Sequence, residues 1–192
     1  MLSHKFNDAL SWATTLHQQQ VRKVRQTPYI THLMSVAALV LENGGDEEQA
    51  IAALLHDAIE DQGVTVEEIS NRFGENVATL VAAVTEFHDR PKPEWLARKQ
   101  MYLNNLRTSP LEAILISLAD KYHNACSLEQ DLFFYGEALW QDFFKSRKDE
   151  TRWFYQELVT VYRERGFHDC WLLLELEKMI ERIFKTDLVK SL

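Results

Sequence analysis

Ile51-Ala52-Ala53-Leu54-Leu55-His56-Asp57-Ala58-Ile59-Glu60-Asp61 is five apolar residues followed by four ionisable ones in six positions. An unbroken apolar run of this kind reads as a helix buried on every side. His56 and Asp57 are adjacent, and both are good metal ligands. Glu60 follows His56 by four residues and Asp61 follows Asp57 by four, so a continuous helix would put each pair on one face. Buried charges are costly unless they are paired or bound to a metal. Carboxylates this dense at the end of a core helix therefore call for a cation. The alternative, a solvated helix end with chance acids, leaves the apolar run before them unexplained.

Outward from this stretch, nearly every segment reads as helix, and no segment alternates over a strand's length. Asn7 to Gln20 forms a first helix, followed by the basic segment Val21-Arg22-Lys23-Val24-Arg25 and a turn at Thr27-Pro28. His32 to Glu42 forms a second, stopped by Asn43-Gly44-Gly45. Asp46 caps the helix that leads into His56-Asp57. Thr65 to Glu68 has capping-box form, and Phe73-Gly74 ends that helix. Glu75 to Phe87 is helical, with Val77, Leu80, Val81 and Val84 on one face. His88 to Pro93 is a loop because of its prolines. Glu94 to Arg107 is helical again. Ser109-Pro110-Leu111-Glu112 reads as a second capping box that opens an apolar helix from Leu111 to about Leu128.

The remainder is rich in aromatics: Phe133-Phe134-Tyr135, Trp140, Phe143-Phe144 and Trp153-Phe154-Tyr155. Core packing of two further helices is the expected reason. The last helix, Cys170 to Phe184, carries Leu173, Leu176, Met179, Ile180 and Ile183 as a core stripe or the face of a homodimer. The reading is one all-α domain over residues 1–192.

Composition limits the function. The 192 residues carry a net charge of -8, 46% apolar residues, six glycines and four prolines. Such a surface repels nucleic acid, so a phosphate-bearing ligand needs a locally basic pocket. Cys126 and Cys170 have no metal-type spacing, and a reducing cytoplasm is the expected setting. No signal peptide is read in the polar stretch from Met1 to Gln20, and no apolar run is long enough to span a bilayer.

His56 and Asp57 cannot hold an ion alone. His32, at a helix start, and Asp120, after the apolar Ile116-Ser117-Leu118-Ala119, are the partners expected from other helices. Two imidazoles and two carboxylates with open positions suit one first-row divalent ion. Glu60 and Asp61 are then the groups available for general acid–base work.

The pattern resembles the HD superfamily of metal-dependent phosphohydrolases. More narrowly, it resembles the hydrolase domain of RelA/SpoT-type enzymes and the stand-alone small alarmone hydrolases. The resemblance rests on Arg22-Lys23, Thr27-Pro28-Tyr29-Ile30-Thr31-His32, Ala52 to Asp61, Phe73-Gly74, Val84-Thr85 and Leu118-Ala119-Asp120-Lys121-Tyr122-His123-Asn124, in that order. It covers about Leu10 to Leu128 specifically and Asp131 to Tyr162 more loosely. It implies a compact helical HD fold, one Mn²⁺ ion, and removal of the 3′-pyrophosphate of ppGpp or pppGpp. By motif, His32, His56, Asp57 and Asp120 take the metal-ligand roles, and Glu60 and Asp61 the catalytic ones. Arg22, Lys23, Lys121 and Asn124 take the substrate contacts.

Two departures accompany the match. Tyr122-His123 stands where Leu-His or Leu-Tyr is commoner. Glu86 follows Thr85 where many members carry Lys in the next few residues, with Lys92, Arg98 and Lys99 the nearby cations able to substitute. The adenine analogue ppApp is therefore kept as an alternative substrate. The non-enzyme alternatives are an inert nucleotide sensor and a helical interaction domain.

Overall fold

In a computed structural model, residues 2–86, 93–145 and 147–185 are described. Among them the secondary structure is helical, with one isolated bridge between Val21 and Pro28. The helices are α1 (His4–Leu16), α2 (Ile30–Glu42), α3 (Glu47–Leu55), α4 (Ala58–Gln62), α5 (Val66–Phe73), α6 (Glu75–Val84), α7 (Trp95–Thr108), α8 (Leu111–Tyr135), α9 (Ala138–Asp142), α10 (Lys148–Glu164) and α11 (Trp171–Ile183).

α3 and the first half of α8 form the axis of the molecule. Every residue from Ala50 to Leu55 and from Ala113 to Asp120 is buried. Such all-round burial needs neighbours on every side. α1, α2, α6 and α8 pack against α3, while α2, α6 and α11 flank α8. The close entry to α3 depends on Gly45. A Cβ there would stand 2.5 Å from Val40 Cγ1 and 2.8 Å from the Val40 carbonyl oxygen. The Val77, Leu80, Val81 and Val84 face of α6 is buried as expected. The stripe on α11 is buried within the chain's own core, so it is not a dimer face. No helix among the described residues is long and apolar enough to cross a membrane.

Local chemistry accounts for most helix ends. Asp46 and Thr65 each form a full capping box, with Gln49 and Glu68 respectively. The expected box at Ser109 does not form. Its hydroxyl donates back to the Asn105 carbonyl at 2.8 Å, and Pro110 begins α8 without a side-chain cap. α8 runs to Tyr135 rather than Leu128, because no breaker intervenes before Gly136 at φ 59°. α1 stops at Leu16 rather than Gln20. The chain turns there so that Tyr29 N–H bonds the Gln20 carbonyl at 3.0 Å and Arg22 N–H bonds that of Thr27 at 2.8 Å. These bonds shape the basic turn. α6 ends at Val84, where the Thr85 hydroxyl bonds back to the Val81 carbonyl at 2.8 Å. The expected loop at His88 to Pro93 lies outside the described residues except for Pro93, and Lys92 lies outside them too.

Two expectations about residue environment need correction. α3 does not continue through the His-Asp pair. His56 ends it, and Asp57, at φ -98° and ψ 0°, begins the separate α4. The His56 ring takes the Ala53 carbonyl at 2.8 Å and competes for the acceptor that a continuing helix would use. Glu60 and Asp61 therefore follow on a second short helix rather than on α3 itself. The aromatic segments also divide. Trp140, Phe154 and Tyr155 are buried, but Phe133 and Phe134 are 80% and 69% exposed. They lie on the last turn of α8.

Candidate metal centre

α2 supplies His32, the α3–α4 junction His56 and Asp57, and the middle of α8 Asp120. His32, His56 and Asp57 present ligand atoms all within 4.8 Å of one another. His56 Nε2 lies 3.0 Å from Asp57 Oδ2 and 3.6 Å from Asp120 Oδ1. His32 Nε2 lies 3.2 Å from Asp120 Oδ1 and 3.8 Å from Asp57 Oδ2. Both Nε2 atoms are buried and make no aligned hydrogen bond. Unsatisfied buried polar atoms are rare and call for an explanation. Two of them aimed at a point shared with two carboxylate oxygens fit a divalent ion.

The surrounding bonds set the ring orientations. His56 Nδ1 donates to the Ala53 carbonyl, which turns Nε2 toward the two carboxylates as the nitrogen that would ligate an ion once its proton is lost. His32 Nδ1 lies 2.8 Å from His123 Nδ1. Burial, with His32 and Arg22 nearby, pushes His123 down to about 4, so it is a neutral acceptor for the His32 proton. Tyr29 O–H donates to Asp57 Oδ2 at 2.6 Å. Asn124 Nδ2 and Lys121 Nζ hold the two oxygens of Asp120, each at 2.6 Å. Burial opposes charge throughout. Yet Asp57 and Asp120 keep the His56 pKa well above its usual value, and Lys121 followed by the two histidines holds Asp120 well below the carboxylate range. The four side chains thus form a centre that attracts positive charge.

A cavity of about 440 Å³ opens beside this cluster. Small-molecule sites commonly measure ~300–1,000 Å³. Arg22, Lys23, Arg25, Lys99 and Lys121 line it, together with Tyr29, Trp95, Phe144, Phe154 and Tyr155. The acidic chain thus has the locally basic pocket that a phosphate-bearing ligand would need. Arg22 donates to Asn124 Oδ1 at 2.8 Å, which joins the basic turn to the cluster. Lys23 bonds the Phe143 carbonyl and lies 5.3 Å from the Phe144 ring centroid. Arg25 pairs with Asp131 at 2.8 Å.

Of the residues expected to bind substrate, Arg22, Lys23, Lys121 and Asn124 all line this cavity, although Lys121 and Asn124 are also bonded to Asp120. Asp61 is solvent-accessible, 2.7 Å from Gln20 Nε2, and Glu60 stands half-buried beside it on α4. Of the proposed substitute cations, Lys99 reaches the cavity. Both it and Arg98 pair with Glu86, at 2.7 and 3.2 Å. Sequence reasoning assigned no role to Gln20, Tyr29 or His123, and took Phe144, Phe154 and Tyr155 for core. Their apolar spacing is the same whether they face a core or a cavity.

An all-helical fold that gathers His, His-Asp and Asp from separate helices defines the HD class, and the chain belongs to the HD domain family, whose model matches residues 9–132. It is 38% identical over 126 residues to the guanosine-3′,5′-bis(diphosphate) 3′-pyrophosphohydrolase MESH1 of Xenopus tropicalis, covering 64% of this chain and 69% of that one. It is 39% identical over 120 residues to the guanosine-3′,5′-bis(diphosphate) 3′-pyrophosphohydrolase of Aquifex aeolicus, covering 62% of this chain and 17% of that protein. Among solved structures, it superposes with a TM-score of 0.77 and 29% identity on a metazoan ortholog of SpoT described as hydrolysing ppGpp. That match covers 95% of this chain and 97% of the other.

Proposed function

We propose that the chain is a metal-dependent hydrolase that removes the 3′-pyrophosphate of ppGpp or pppGpp, giving GDP or GTP and pyrophosphate. The observation that carries this is the pair of orphaned Nε2 atoms, on His32 and His56, facing Asp57 and Asp120 at the edge of a basic, aromatic cavity. A highly charged anion needs cations in a protein of net charge -8. The relatives named as pyrophosphohydrolases support the same reaction.

His32, His56, Asp57 and Asp120 would hold one divalent ion. Their mixed nitrogen and oxygen donors suit Mn²⁺. When bound, the ion polarises the phosphate and lowers the pKa of water. Water adds its oxygen to the phosphorus attached to the 3′ oxygen, the P–O3′ bond breaks, and the 3′ oxygen leaves with a proton. Glu60 and Asp61 are the carboxylates assigned to the water proton. Tyr29 holds Asp57, and Asn124 and Lys121 hold Asp120. Arg22, Lys23 and Lys121 offset phosphate charge, and the aromatic wall excludes water from the nucleoside.

The test is product chromatography after incubation with ppGpp, pppGpp or ppApp and Mn²⁺, with and without a chelator. Equal amounts of GDP and pyrophosphate from ppGpp, abolished by chelation, are expected. Release of inorganic phosphate alone, or cleavage of ppApp but not ppGpp, overturns the assignment.

A further inference from the structure

Gln20 stands where α1 has turned toward the basic segment, and its amide makes three side-chain contacts. Its Nε2 donates to Asp61 Oδ2 at 2.7 Å. Its Oε1 receives Gln62 Nε2 at 2.6 Å and lies 2.6 Å from His17 Nδ1. An amide has one acceptor end and one donor end. Gln62 donates to the oxygen, as His17 Nδ1 does in its Nδ1–H tautomer, and the Asp61 carboxylate needs a donor, so the NH₂ end faces Asp61. His17 is buried and stacks on the Tyr29 ring at 5.3 Å, and Tyr29 in turn holds Asp57. The backbone is fixed too, by Gln20 N–H to the His17 carbonyl and Tyr29 N–H to the Gln20 carbonyl, both at 3.0 Å. Asp61 lies in a short helix and is accessible to solvent, so α4 alone leaves its side chain free to rotate.

We propose that Gln20 is the positioning residue for Asp61: it fixes Oδ2 through an amide whose direction is locked by His17 and Gln62, and leaves Oδ1 as the oxygen that handles the water proton. The inference rests on the assignment of Asp61 to that proton. Gln20 also lines the cavity, so the rival role for it is direct substrate binding.

Kinetics of four chains with ppGpp and Mn²⁺ separate these roles. The chains are wild type, Gln20→Ala, Asp61→Asn and the double variant, each with its metal content measured. A hydrogen bond to a charged group is worth roughly ten- to a hundredfold. Gln20→Ala should lower kcat by about that factor, with KM and bound metal unchanged. In the Asp61→Asn background it should change kcat by less than about twofold, because residues that act through one group are not additive. Gln62→Leu, which removes one of the two locks without touching Asp61, should lower kcat by a smaller, several-fold factor and serves if Gln20→Ala fails to fold. A rise in KM without loss of kcat makes Gln20 a substrate contact and overturns the proposal. So does a full additional loss in the double variant. An Asp61→Asn chain that keeps wild-type kcat instead removes the assignment of Asp61 itself, a separate failure.

Discussion

His32 and His56 are 1% and 3% exposed, and they face their carboxylates at 3.0–3.8 Å from positions on rigid helices. The cavity beside them is open, and its walls are contributed by a turn at Gln20–Arg25 and by α7, α8 and α10, far apart in the chain. Each proposed ligand has its own support: Ala53 for His56, His123 for His32, Tyr29 for Asp57, Asn124 and Lys121 for Asp120. The cavity cations are held at its walls by partners of their own, such as Asp131 and Gln130 for Arg25 and Glu86 for Lys99. The cluster is thus built to hold one arrangement and the cavity to accept a guest. Substitutions in the first should remove metal or kcat, and those in the second should raise KM.

The largest effect is expected from Asp57→Ala. It deletes one of the two carboxylates facing the histidines, so metal content after dialysis should fall to background and activity with it. Full metal occupancy in this variant would break the comparison outright. Glu60→Gln should keep metal and KM but lose on the order of 10²–10⁴ in kcat, the usual range for a general acid–base group. Loss of metal instead would make Glu60 a ligand. Arg22→Ala tests the cavity. Its KM should rise roughly ten- to a hundredfold with kcat little changed, the worth of one charge-assisted contact. An unchanged KM would return Arg22 to a structural role holding Asn124. Phe144→Leu is the mildest, because an aromatic contact is worth about 0.5–1.5 kcal/mol. A two- to tenfold rise in KM is therefore expected, and a loss of kcat would show that cavity and cluster are not separable.

Legibility in the sequence follows the same division. His56-Asp57 after an apolar run is a local signal, and so are the boxes at Asp46 and Thr65, where a side chain reaches only three residues. Ser109 carries an equally good local signal, but its hydroxyl is taken by the Asn105 carbonyl, and its own carbonyl accepts Arg165 at 2.7 Å. Phe133 and Phe154 look alike in sequence, yet one is 80% exposed and the other 5%. Which aromatic is covered depends on where α10 and α11 return.

The sequence by itself determined the helical class, most helix positions, and the identities of the residues that cluster, because period, caps and ligand types are properties of short segments. It also set the condition that a phosphate-bearing ligand would need a basic pocket on this acidic chain. Only the tertiary structure decided that α3 stops at His56, that Lys99 and the aromatics of α10 wall the cavity, and that Gln20 reaches Asp61 across 41 residues. Those contacts arise when distant helices pack on one core, and no local pattern encodes which surfaces then face each other.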